Sequence, residues 1–247
     1  MIDSTGDDWE APPWSQEDDV LEGRTVGPAD ARATVVLCHG FGADEHDLVP
    51  VTRALCTVTP LRFVFPRAPN AFPSGWGAGR AWFPDSEAEL AGFVTGEMFA
   101  HLDQVDPPAL TDAGTMLAST VQALDGVGGR QRLLVGGFSQ GAMVACEAML
   151  AAGLRADGLI VLSGSLIAAA RWRLLAADRP LSGVPVFQAH GEADHVLPLE
   201  SGRLLGETLE LAGAARTFVR FAGGHGIAPE VLDKLSTWID AACAAPA

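Results

Sequence analysis

The chain has 247 residues, of which 48% are hydrophobic and 19% charged, the composition of a globular protein with a substantial core. Its net charge of −15 argues against nucleic acid and anionic membrane surfaces as partners. The longest stretch free of Asp, Glu, Lys and Arg, residues 133–146, is too short and too rich in Gly, Ser and Gln to be an integral membrane span.

The charge is unevenly placed. Residues 1–22 hold eight acids and no Lys or Arg, and read as a solvated N-terminal extension; residues 23–247 read as a single domain. The N-terminus shows no basic n-region and no apolar h-region, so no secretory signal is expected. Cys38, Cys56, Cys146 and Cys243 lack CxxC spacing, and Cys38 and Cys146 fall in predicted core elements. Reduced, buried thiols and a cytoplasmic location are expected, with an isolated disulfide as the alternative.

Apolar runs alternate with longer helical patterns. A strand near Val20–Val26 is followed by strands at Thr34–Cys38 and Arg62–Phe65, with a helix over Asp47–Cys56 between those two. Asp44–Asp47 read as capping and first-turn acids of that helix. Beyond it the pattern predicts a short helix near Glu87–Leu102 and a longer one at Leu110–Leu124. Then come strand Arg132–Gly136, helix Gln140–Ala152, strand Leu159–Ser163 and a short helix at Ala168–Ala176. Strand Val186–His190, helix Glu200–Leu211, strand Thr217–Phe221 and helix Pro229–Ala242 complete the series. Strands rich in Val, Leu, Ile and Phe without polar alternation suit a parallel sheet buried on both faces. The β-then-α order predicts a doubly wound α/β sheet whose active groups gather at the carboxyl ends of the strands.

One segment breaks the rhythm. Residues 67–84 carry Phe72, Trp76, Trp82 and Phe83 in a loop after a strand. Such rings either line a pocket or cover the edge of the core.

Residues 137–141 read Gly-Phe-Ser-Gln-Gly, between a predicted strand and a small-residue helix. That is the sequence of a nucleophile elbow, in which Ser139 takes a strained conformation and a Cβ at 137 or 141 would collide with closely passing chain. A serine hydroxyl needs a base and a group that orients the base. His225, in Ala-Gly-Gly-His-Gly-Ile after a strand, is the best base, and Asp194, in His-Gly-Glu-Ala-Asp after another, is the best orienter. Glu192 competes for the second role and His195 for the first. Two N–H donors should hold an oxyanion: the amide of Gln140 at a helix N-terminus, and that of Phe41 between Gly40 and Gly42. His39 reads as structural. HExxH, paired-His spacing and phosphate-binding glycine fingerprints are all lacking, so neither a metal nor a cofactor is expected.

Together these stretches resemble the phospholipase/carboxylesterase family of α/β-hydrolases. The resemblance rests on Leu37-Cys38-His39-Gly40-Phe41-Gly42, Arg80-Ala81-Trp82-Phe83, Gly137-Phe138-Ser139-Gln140-Gly141-Ala142 and Leu162-Ser163-Gly164. It extends to His190-Gly191-x-x-Asp194 with Val196-x-Pro198, and to Gly224-His225. It implies an α/β-hydrolase fold, a triad of Ser139, Asp194 and His225, and a substrate groove bordered by Trp82, Phe83 and the Ser163–Leu166 loop, including Ser165 and Leu166. Pro84 and Ser165-Leu166 depart from the residues common in that family, which bears on acyl length.

The expected activity is hydrolysis of carboxylic esters of short to medium acyl chains through an acyl-enzyme. Acyl thioester or lysophospholipid hydrolysis at the same site is the alternative, with amide hydrolysis and a catalytically silent binding scaffold as rivals. The expected partner is a small ester or thioester, and an exposed aromatic face would allow a homodimer.

Overall fold

The computed structural model describes residues 20–71, 79–83, 98–124 and 131–244. Its strands are β1 (Gly23–Val26), β2 (Ala33–Cys38), β3 (Leu61–Pro66), β4 (Asn70–Ala71), β5 (Arg80–Ala81), β6 (Arg132–Phe138), β7 (Gly158–Leu162), β8 (Pro185–Gly191) and β9 (Ala215–Phe221). Seven of them form one sheet in the order β1-β3-β2-β6-β7-β8-β9, while β4 and β5 pair as a separate antiparallel ribbon. β1 runs antiparallel to β3, and all other neighbours in the large sheet are parallel.

The helices are α1 (Val51–Ala54), α2 (Pro108–Ala123), α3 (Gln140–Leu150), α4 (Ala169–Ala176), α5 (Leu199–Leu211) and α6 (Pro229–Ala244). They cover both faces of the sheet, and alternate strand residues feed two separate cores. Val36, Val135, Leu159 and Val161 pack with residues of α2, α3, α4 and α5. Val35, Leu134, Ile160 and Leu162 pack with residues of α1 and α6. This explains why β2, β6 and β7 read as apolar runs. By contrast β9, at the edge of the sheet, alternates exposed and buried residues, contrary to the expectation for Thr217–Phe221. Among the described residues no helix is long and apolar enough to cross a membrane.

Every strand expected from the sequence is present, with shifted ends. Ser163 is not the last residue of its strand; it turns out of the sheet at φ 48°. β1 accounts for the strand expected at Val20–Val26. Leu21, counted with the acidic head, is buried, and its amide donates to Thr120 Oγ1 at 2.9 Å. The carbonyl of Glu22 accepts from Arg67 N at 2.7 Å. Residues 1–19 of that head lie outside the described residues.

Two helix expectations are corrected. Asp47–Cys56 is not one helix: residues 45–50 form turns and only Val51–Ala54 is helical. Pro50 is the reason, since it lacks an N–H and its ring opposes the carbonyl four residues back. The chain therefore closes three-residue turns, Val49 N to His46 O at 3.1 Å and Val51 N to Leu48 O at 3.0 Å. Asp44 caps a turn rather than a helix, its Oδ1 accepting from His46 N at 2.9 Å. Of the helix expected near Glu87–Leu102, residues 87–97 lie outside the described residues. Met98–Gln104 forms 3₁₀ turns broken at His101, where φ is −137°.

All four cysteines are free; Cys38, Cys146 and Cys243 are buried, but Cys56 is exposed. Burial pushes the Cys38 and Cys146 thiols well above their ordinary pKa, so both are held protonated and unreactive.

Candidate active site

β6 ends at Phe138 and α3 begins at Gln140, leaving Ser139 alone in the turn with φ 54° and ψ −118°. Non-glycine residues seldom adopt that conformation, and it persists where surroundings over-determine it. Here Ser139 N donates to Leu162 O at 2.8 Å, which pins the turn to the end of β7. The flanking glycines make room for β2. A Cβ on Gly137 would lie 2.5 Å from Cys38 O, and one on Gly141 would meet Cys38 O and His39 O at 2.1 and 2.5 Å.

The loops after β8 and β9 bring the other two side chains to this turn. Ser139 Oγ lies 2.9 Å from His225 Nε2, and His225 Nδ1 lies 2.7 Å from Asp194 Oδ2. Asp194 Oδ1 accepts the amides of Val196 and Leu197 at 2.9 and 2.8 Å. Three residues separated by 31 and 86 positions therefore share one hydrogen-bonded line. Asp194 is an acceptor throughout, so His225 Nδ1 carries the proton and Nε2 is free to accept from the serine hydroxyl. Gly191 permits the approach of the two loops, since a Cβ there would fall 2.3 Å from Gly224 O. Ala193 N donates to Gly223 O at 2.9 Å across the same gap.

Electrostatics agree with this hydrogen-bond pattern. Burial pushes the Asp194 carboxyl up, but the His225 hydrogen bond and the Leu197 and Val196 amides outweigh it and hold the group below the usual carboxylate range. His190, fully buried, points Nε2 at Leu197 O, 2.8 Å away, with Asp194 Oδ2 at 3.5 Å. Burial lowers its pKa, so the imidazole stands neutral beside the carboxylate. Both rival candidates lie outside this hydrogen-bonded line. Glu192 is half exposed with Arg220 as its neighbour at 3.8 Å, and His195 is exposed.

The loop after β2 lies against the elbow. Gly42 adopts φ 80°, a conformation that favours glycine. A Cβ on Gly40 would sit 3.2 Å from the Phe138 ring. Phe41 stands between them. Gln140 N is the first amide of α3 and has no acceptor within the helix, so it points out of the N-terminus beside Ser139. His39 is buried and satisfied on both nitrogens, with Gly40 O at 2.8 Å from Nδ1 and Ala68 N donating to Nε2 at 3.2 Å. Burial lowers its pKa, consistent with a neutral structural ring.

The residues expected to border the groove divide. Phe72 and Trp76 lie outside the described residues. Trp82, Phe83 and Leu166 are 0% exposed and Ser165 is 1% exposed, so they present no open wall to solvent. Several of their polar groups are bonded within the protein. Trp82 Nε1 donates to His39 O at 2.9 Å, Leu166 N to Ser201 O at 3.3 Å, and Ser165 Oγ shares a hydrogen bond with Ser201 Oγ. An open cleft of about 380 Å³ instead borders Gly42, Ala43, Asp44, His46, Asp47 and Gly79. Asp44, Glu45 and His46 are the described group whose ligand atoms converge as a metal site would require, within 4.8 Å, although Glu45 already faces Arg67 at 3.3 Å.

Sequence reasoning missed the side chain of Gln140. It is 2% exposed, its Oε1 accepts Trp82 N at 2.9 Å, and its Nε2 donates to Phe83 O. The available signal was the residue type: a buried carboxamide at a helix start needs partners for both of its polar atoms.

Comparison with known proteins agrees with this architecture. The chain is 27% identical over 232 residues to acyl-protein thioesterase 1 of Neurospora crassa, covering 86% of this chain and 88% of that one. The fold matches Zea mays acyl-protein thioesterase 2 with a TM-score of 0.69 at 24% identity, covering 90% and 99% of the two chains. It also matches a carboxylesterase from Mesorhizobium loti with a TM-score of 0.68 at 19% identity, covering 90% and 96%. The sequence profile of the phospholipase/carboxylesterase family matches residues 25–243. The protein is thus a hydrolase of the esterase and thioesterase kind with an α/β-hydrolase fold, and the chain belongs to the phospholipase/carboxylesterase family.

Proposed function

We propose that the protein is a serine hydrolase that cleaves carboxylic esters of short to medium acyl chains through an acyl-enzyme. The observation that carries this reading is the unbroken line Ser139 Oγ–His225 Nε2, His225 Nδ1–Asp194 Oδ2, at 2.9 and 2.7 Å. His225 takes the proton of Ser139 as Oγ bonds to the substrate carbonyl carbon, and Asp194 stabilises the imidazolium that results. The amides of Gln140 and Phe41 receive the oxyanion. His225 then gives its proton to the leaving alcohol as the carbon–oxygen bond breaks. Water, deprotonated by His225, attacks the acyl-enzyme in the second half and releases the acid, and Ser139 regains its proton.

A second reading, acyl thioester hydrolysis, draws on the relatives named acyl-protein thioesterase. The same groups serve both reactions, since a thiolate leaves without needing the full proton transfer an alkoxide requires. Ser139→Ala tests the common core: kcat for p-nitrophenyl butyrate should fall by roughly 10⁴–10⁶, and labelling by a fluorophosphonate should vanish. Retention of more than about a tenth of the activity removes Ser139 from the nucleophile's role. Matched oxyester, thioester and amide substrates across acyl lengths then rank the readings.

A further inference from the structure

We infer that the side-chain carboxamide of Gln140 is a positioning group for the oxyanion loop, so that one residue governs both oxyanion donors. This rests on the proposed function above.

The argument follows the bonds outward from the elbow. Gln140 holds the backbone of Trp82 and Phe83 through both polar atoms and is 2% exposed, so its carboxamide is turned into the protein rather than towards a substrate. The segment it holds brackets the loop after β2 at both ends. On one side Trp82 Nε1 donates to His39 O at 2.9 Å. On the other, Gly42 N donates to Arg80 O and Arg80 N donates to Ala43 O, both at 2.9 Å. Phe41 lies between these two anchors. The same segment is tied to the exit of β3, where Arg80 donates to Ala68 O and to Pro69 O, and Asn70 Nδ2 donates to Trp82 O at 3.2 Å.

The backbone of Gln140 supplies one donor directly, at the helix start. Its side chain, through residues 80–83, sets where the other donor stands. A nucleophile that moves with the elbow therefore carries the frame of its oxyanion hole along with it. The arrangement also gives Trp82 a role other than lining a groove. Its indole is a strut, fully buried, with its N–H committed to the first carbonyl of the loop.

The test is Gln140→Met, which keeps the volume and the backbone amide but neither side-chain hydrogen bond. Loss of an entire oxyanion donor costs about 10²–10³ in kcat, so a displaced one should cost roughly 10- to 100-fold. A trifluoromethyl ketone, whose adduct with Ser139 carries an oxyanion, should lose affinity by the same factor, while KM changes by less than about threefold. Wild-type kcat in Q140M overturns the inference, as does a fall in kcat with analogue affinity unchanged. Should Q140M not fold, Trp82→Phe decides by the same two readouts, because it removes the Nε1–His39 O link while leaving the Gln140 side chain and backbone amide in place. Ser139→Ala, run alongside, separates the failures. An active S139A sinks the proposed function, whereas a dead S139A beside a fully active Q140M sinks only this inference.

Discussion

Gly141 packs against Cys38 so closely that a single added carbon would stand 2.1 Å from the Cys38 carbonyl oxygen. The first turn of α3 and the end of β2 meet there backbone to backbone, with no flexible side chain between them to give way. Gly141→Ala must therefore part the turn at Ser139 from the loop after β2. Overpacking of this sort typically costs about 1–3 kcal/mol, and a shift near 1 Å between reacting groups costs about 10²-fold in rate. The expected outcome is a lower melting temperature together with a kcat loss larger than the stability change explains. A Gly141→Ala variant with native kcat would show that the close approach serves folding alone.

Asp194→Asn isolates the orienting role. The new side chain still presents an oxygen to the Val196 and Leu197 amides, which Asp194 Oδ1 accepts at 2.9 and 2.8 Å. Its NH₂ then faces His225 Nδ1 and selects the tautomer with the proton on Nε2, the nitrogen that should accept from Ser139. On the proposed mechanism kcat falls by about 10⁴ with KM little changed. Stopped-flow acylation with p-nitrophenyl acetate measures it, and a loss under tenfold would assign the orienting role elsewhere.

Ser163 combines strain with a tether. Its φ is 48°, and its hydroxyl donates to Gly226 O at 3.1 Å, next to His225 in the chain. Ser163→Ala removes the tether and keeps the strain; Ser163→Gly removes both. Each should lower kcat several-fold, by about the same factor, while the glycine variant is the more stable by about 1 kcal/mol. Thermal melts and kcat for the pair check this. A fully active S163G would mean that the hydroxyl does not hold the His225 loop.

Acid should destabilise the fold before it protonates most carboxylates. Burial lowers the pKa of both His39 and His190, from an ordinary value of 6.5. Above that value both are neutral folded or unfolded, and they contribute nothing to the pH dependence. Below it the unfolded chain takes up protons that the folded chain refuses, so stability falls as pH drops. The slope reaches at most about 1.4 kcal/mol per pH unit for each ring. Asp194, held below its usual range, adds a loss of the same sign at lower pH, between its unfolded and folded values. Urea unfolding from pH 8 to 5 reads the effect directly. A flat profile through pH 6.5 would contradict the neutral burial of the two rings.

The strands were legible because a sheet covered on both faces writes itself as apolar runs, and β2, β6 and β7 are the clearest of these. The helix at 47–56 was misread because the acids before it resemble a cap, while Pro50 fixes where helical bonding can begin. The elbow was legible because its steric demands select residue types at fixed spacing. Trp82 was harder to read, since an aromatic ring in a loop has the same letter whether it lines a groove or braces a carbonyl.

The sequence alone determined the chain order and type of the elements of the large sheet, though not the β4–β5 ribbon, and the three residue types able to form a relay, because burial and turn strain act locally and leave periodic marks. Only the tertiary structure decided where buried polar atoms find their partners. Gln140 meets Trp82 and Phe83, 58 and 57 positions away, and His39 meets Ala68, 29 away. Such pairings follow from how the β-α crossovers stack around the sheet, which no single segment encodes.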